Sequence, residues 1–246
     1  TLFSKNVNDS FSIFVSLPKD YAKKKNQNFP VIYLLDANVY FDIIADAMNE
    51  IHSKAILVGI GYKDFVMMDS LRNRDYTFPK ASPQDSFPIS GGAFNFLFFI
   101  KNEIIPYIDK AYRTETNNRT LMGHSLGAYF TLFVLMQEIL NTDHTFKNYV
   151  AASPSLHYGN KFLMDQWKQS VVYDNSIQQY LWLTCGAKED IEDSTGTEGI
   201  DNFNSFVQIL DSSKYKNVAV KVEIYPAFGH METAVPTFVK SLKEME

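Results

Sequence analysis

The chain has 246 residues, of which 46% are hydrophobic and 21% charged, enough apolar side chain to fill a core and to exclude disordered, coiled-coil and collagen-like chains. Twenty-three basic against 28 acidic residues leave a net charge of -5. The only dense basic run, at residues 23–25, lacks interleaved aromatics, so no nucleic-acid partner is expected.

Short β-like runs alternate with longer helical ones, and no internal repeat or low-complexity linker divides them. This predicts one α/β domain over residues 1–246, with a mostly parallel central sheet flanked by helices. Residues 11–17 alternate apolar with polar, as a half-exposed strand does. Residues 31–35 and 55–60 are continuous apolar runs suited to interior parallel strands. Residues 62–92 show no sustained period and are rich in Asp, Ser, Pro and aromatics, which predicts a long loop over a site. Phe94, Leu97, Phe98, Ile104, Ile105, Ile108 and Tyr112 form one helical stripe that Pro106 should interrupt. Further strands are expected at 120–122, 149–152, 180–184 and 219–225, with helices at 126–140, within 202–210 and after Thr233. The most apolar stretch, 93–108, is too short and too charged to span a bilayer. The lone Cys185 stands in no metal-binding spacing and reads as a small buried strand residue.

Gly123-His124-Ser125-Leu126-Gly127 matches G-x-S-x-G where a strand turns directly into a helix. A serine hydroxyl becomes a useful nucleophile only when a tight turn presents it to a base, and the flanking glycines allow that turn. Ser125 is therefore the candidate nucleophile. Of five histidines, His230 alone lies on a loop between the last predicted strand and the last helix, the place for a base in the order serine, acid, histidine. His52, His144 and His157 read as surface or packing residues, and His124 as a pocket-shaping neighbour of the nucleophile. The acid should follow strand 180–184, where Glu189 and Asp190 stand side by side; Glu189 is favoured and Asp190 is the alternative. The main-chain N–H of Leu126 and a second N–H, from Asn38 or the adjacent Ala37, are the candidate oxyanion donors.

These residues resemble the putative esterase family of α/β-hydrolases, which includes ferri-enterobactin esterases, S-formylglutathione hydrolases and feruloyl or acetyl-xylan esterases. The likeness runs from Val31-Ile32-Tyr33-Leu34-Leu35-Asp36-Ala37-Asn38 through Gly59-Ile60-Gly61-Tyr62, Gly91-Gly92-Ala93, Ile104-Ile105-Pro106, the serine motif and Ala152-Ser153-Pro154-Ser155-Leu156 to Gly229-His230-Met231. Arg72, Asp75, Tyr76 and Thr77 are similar to the R-x-x-D-Y-T-P stretch of the siderophore-esterase branch, although here Phe78 precedes Pro79. Another departure is Ala37, where the family often has glycine.

The resemblance implies the α/β-hydrolase fold, Ser125 and His230 as nucleophile and base, and Glu189, three residues after Gly186, as acid. It also implies substrate contacts from Arg72 and Tyr76 near the cleft. The expected activity is cofactor-free serine carboxylesterase chemistry on a small-molecule or glycan ester, either a sugar acyl ester or a siderophore-type lactone. An acyltransferase with the same triad and a non-catalytic carbohydrate- or siderophore-binding protein are the rival readings. A leader removed before Thr1 would place the protein in the periplasm or outside the cell; otherwise it would be cytoplasmic.

Overall fold

A computed structural model describes residues 1–82, 87, 89–170, 178–189, 199–211 and 215–245. Among these residues the chain forms β1 (Leu2–Ser4), β2 (Asp9–Ser16), β3 (Phe29–Leu34), α1 (Ala37–Glu50), β4 (Ile56–Tyr62), α2 (Met68–Tyr76) and α3 (Ala93–Phe99). A π turn (Ile100–Ile104) leads into α4 (Ile105–Ala111), followed by β5 (Thr114–His124), α5 (Leu126–Asn141), β6 (Asn148–Ala152), α6 (Tyr158–Gln169) and β7 (Gln179–Gly186). The chain ends with α7 (Gly199–Leu210), β8 (Val218–Tyr225), a 3-10 turn (Met231–Thr233) and α8 (Ala234–Glu244).

The strands make one sheet in the order β1-β2-β4-β3-β5-β6-β7-β8. β1 and β2 are antiparallel, and every pairing from β4 to β8 is parallel. Residues of β4 are buried at every position because helices cover both faces of a parallel sheet, so both alternating sets of side chains must be apolar. Tyr40, Ile44 and Met48 of α1 pack with Phe238 and Leu242 of α8 on one face. The larger cluster on the other face gathers Phe96, Ile104, Phe130, Leu132, Trp167 and Phe206 from α3 to α7. Each fully buried side chain of this size contributes roughly 1.5–3 kcal/mol. Cys185 is buried in β7, as read.

One expectation changes. The predicted loop at 62–92 contains α2, which was invisible as a period because only Met68, Asp75 and Tyr76 of its residues are buried. Ion pairs hold it instead: Arg72 with Asp36, and Arg74 with both Asp75 and Asp9. The 93–111 helical stretch is interrupted near Pro106, as expected: the regular ladder gives way to the π turn just ahead of the residue that has no N–H to donate.

Candidate active site

Ser125 is the single residue between the end of β5 and the start of α5. Its φ of 59° and ψ of -120° are strained for a residue with a Cβ. Three main-chain bonds hold it there: its N–H donates to the Ala152 carbonyl, and its own carbonyl accepts from the Tyr129 and Ser155 N–H groups. Close approach dictates Gly123, since an added Cβ would lie 2.4 Å from the Gly127 carbonyl oxygen. The turn thus places the hydroxyl in a cleft of about 510 Å³, whose walls include Arg72, Asn73, Ser155, His157, Asn202 and His230.

β7 and β8, further along the same sheet end, bring Glu189 and His230, the candidate acid and base. His230 follows β8 and places Nε2 2.9 Å from Ser125 Oγ and Nδ1 3.2 Å from Glu189 Oε2. A carboxylate only accepts, so Nδ1 carries the proton and Nε2 is left to receive one from serine. Glu189 Oε1 accepts from Ser153 Oγ at 2.5 Å and from the Gly186 N–H at 2.8 Å. Burial opposes ionisation of Glu189, but the bonds from His230, Ser153 and Gly186 outweigh it and hold the carboxyl at about 2. Glycine at 186 lets the loop that carries His230 press against β7: a Cβ there would sit 2.4 Å from the Phe228 carbonyl oxygen. Asp190, the alternative acid, lies outside the described residues.

Leu126 opens α5 at the cleft wall, where the first N–H groups of a helix have no partner within it. Asn38 lies in the first turn of α1, its side chain spent on both main-chain groups of Tyr62. Arg72 does reach the cleft, but its guanidinium makes two bonds to the buried Asp36, at 3.1 and 2.9 Å. Tyr76 does not line the cleft. It is fully buried, and its hydroxyl accepts from the Asp36 N–H at 3.2 Å. Arg72 and Tyr76 together therefore clamp Asp36, a left-handed residue with φ 52°, at the root of the predicted oxyanion loop.

His124 is also misplaced by the sequence reading. At 3% exposure it is walled off from the cleft, with Nε2 2.9 Å from the His230 carbonyl and Nδ1 3.1 Å from Tyr40 Oη. Strand alternation explains this, because His124 shares a face of β5 with Met122, which packs in the cluster that includes Tyr40. His157, read as a surface or packing residue, lines the cleft instead. Ser155 Oγ, 3.2 Å from Ser125 Oγ, was also missed as a site residue, although its stretch carried part of the family resemblance. Among the described residues no group of three or more His, Cys, Asp or Glu is placed to hold a metal ion. No helix there is long and apolar enough to cross a membrane.

The sequence profile of the family described as Putative esterase matches residues 4–246. Ferri-bacillibactin esterase BesA of Bacillus subtilis (strain 168) is 34% identical over 251 residues, covering 96% of this chain and 84% of that protein. The crystal structure of the BES protein from Bacillus cereus superposes with a TM-score of 0.80 at 24% identity, covering 98% of this chain and 91% of that one. Siderophore hydrolase EstB from Aspergillus nidulans gives a TM-score of 0.79 at 21% identity, over 98% and 92% of the two chains. The serine turn, the mostly parallel sheet and the match over nearly the whole chain agree: this chain belongs to the Putative esterase family, serine ester hydrolases of the α/β-hydrolase fold.

Proposed function

We propose that the protein hydrolyses the ester bonds of a siderophore-type lactone, with Ser125 as nucleophile, His230 as base and Glu189 as acid. The observation that carries the reading is the unbroken chain from Ser125 Oγ through both ring nitrogens of His230 to Glu189, opening on the cleft. His230 Nε2 takes the hydroxyl proton while the serine oxygen bonds to the ester carbonyl carbon. The negative charge moves to the carbonyl oxygen, where the Leu126 N–H and an N–H of the 37–38 turn receive it. The imidazolium, steadied by the ionised Glu189, returns the proton to the departing alcohol oxygen and leaves an acyl-serine. Water, deprotonated by the same nitrogen, then releases the acid and restores the serine. The substrate class follows the named activity of the Bacillus subtilis relative, at 34% identity over 96% of this chain.

The test is a hydrolysis panel of p-nitrophenyl esters, acetylated and feruloylated sugars and a catecholate trilactone, run on the wild type and Ser125→Ala. The trilactone should be the best substrate, and its turnover should fall by roughly 10⁴-fold or more in Ser125→Ala. A fluorophosphonate should label one equivalent of the wild type and none of the variant. Undiminished turnover in Ser125→Ala would remove the mechanism, and preference for a sugar ester would replace the substrate class.

A further inference from the structure

The Ala152-Ser153-Pro154-Ser155-Leu156 stretch includes a serine to which the mechanism above gives no part. Ser153, just after β6, is fully buried at 0% exposure and holds a left-handed φ of 46°. Glycine is the ordinary occupant of that backbone region, so the backbone angle itself does not call for a side chain there. What the side chain brings is a hydroxyl 2.5 Å from Glu189 Oε1 and 2.6 Å from Thr233 Oγ1, which itself lies 2.9 Å from the His230 carbonyl. Two hydroxyl protons thus face three acceptors. The charged carboxylate takes the one from Ser153, and the one from Thr233 is shared between Ser153 Oγ and a carbonyl that His124 already serves. With Ser153 and the Gly186 N–H both on Oε1, the other oxygen of Glu189 is left facing His230 Nδ1.

We infer that Ser153 is a positioning residue for ester hydrolysis: its hydroxyl, seated on Thr233, locks the Glu189 carboxylate in the one rotamer that faces the imidazole. A glutamate has one more rotatable bond than an aspartate, so an acid of this length needs a second anchor to hold its angle. The inference rests on Glu189 being the acid, as proposed above.

Ser153→Gly is the informative variant, because glycine accepts the backbone angle without strain while losing the hydroxyl. Steady-state hydrolysis of p-nitrophenyl acetate is compared for the wild type, Ser153→Gly, Glu189→Gln and the double variant, with thermal melts confirming folding. Ser153→Gly should lower kcat about 10-fold with KM little changed, and in the Glu189→Gln background it should have no further effect, since the hydroxyl acts through the carboxylate. Thr233→Val, nearly isosteric, should lower kcat in the same direction and supplies the comparison if Ser153→Gly does not fold. Wild-type kcat in both hydroxyl variants, or losses that multiply in the double variant, would overturn the positioning role alone. Wild-type kcat in Glu189→Gln would overturn the acid assignment and this inference with it.

Discussion

The imidazole of His124 lies 4.9 Å, centroid to centroid, from that of His230 and donates through Nε2 to the main-chain carbonyl of that residue. A carbonyl only accepts, so Nε2 carries the proton and Nδ1 accepts from Tyr40, whose phenol burial pushes up to about 12. Burial, reinforced by the neighbouring His230, moves His124 down from 6.5 to about 4. The second histidine is therefore a neutral strut behind the first.

That neutrality has a pH signature. The unfolded chain takes up the His124 proton at a higher pH than the folded one, so stability falls as pH drops from 6.5 towards about 4. The loss is about 3 kcal/mol across that window. His124→Gln keeps a donor and an acceptor but does not titrate. Urea melts of the two proteins between pH 7 and pH 4 should show a shallower pH slope for the variant; parallel slopes would refute the buried neutral state.

Glu189 acts in a lower window. Its folded value of about 2 lies below the ordinary 4.5, so its stabilisation is complete above 4.5 and is lost as pH falls towards 2. Glu189→Gln should remove about 3 kcal/mol of stability change between those limits. Acid unfolding followed by circular dichroism checks this, and an unchanged acid limb would count against the carboxylate being ionised in the fold.

Arg72 should behave as a loop clamp. Arg72→Lys keeps the charge but loses the two-pronged grip on Asp36, and should lower kcat about 10-fold. The loss should be equal for neutral p-nitrophenyl acetate and for an anionic ester. A deficit confined to the anionic ester would return Arg72 to the substrate-binding role that family likeness implies.

Gly123→Ala tests the turn itself. The new methyl would meet the Gly127 carbonyl at 2.4 Å in a place where only backbone can yield. A loss of about 3 kcal/mol is expected, together with abolished fluorophosphonate labelling. A melting temperature within a degree of wild type would show that the turn is looser than described.

The parts legible in the sequence were those with one dominant physical cause. Continuous apolar runs marked β3 and β4 because both faces of a parallel strand are covered, and Ser125 and His230, the proposed nucleophile and base, stood out because of their turn and loop contexts. α2 was missed because ion pairs rather than an apolar stripe hold it. Tyr76 was placed near the cleft by family resemblance and His124 by its neighbourhood to the serine, whereas burial, which depends on the whole fold, turns both inward. Glu189 was favoured over Asp190 in the sequence, and the family spacing after Gly186 agreed; the 3.2 Å reach of its carboxylate to His230 Nδ1, which no local pattern encodes, supports that reading.

His230, the proposed base, sits on the loop after β8, at one end of the strand order and 105 positions after Ser125 in the chain. The serine turn is held only once Ala152 and Ser155 are in place, and on the proposed mechanism it stays chemically silent until β8 docks and brings His230 alongside. Recovery of turnover during refolding would therefore report the docking of β8 against β7.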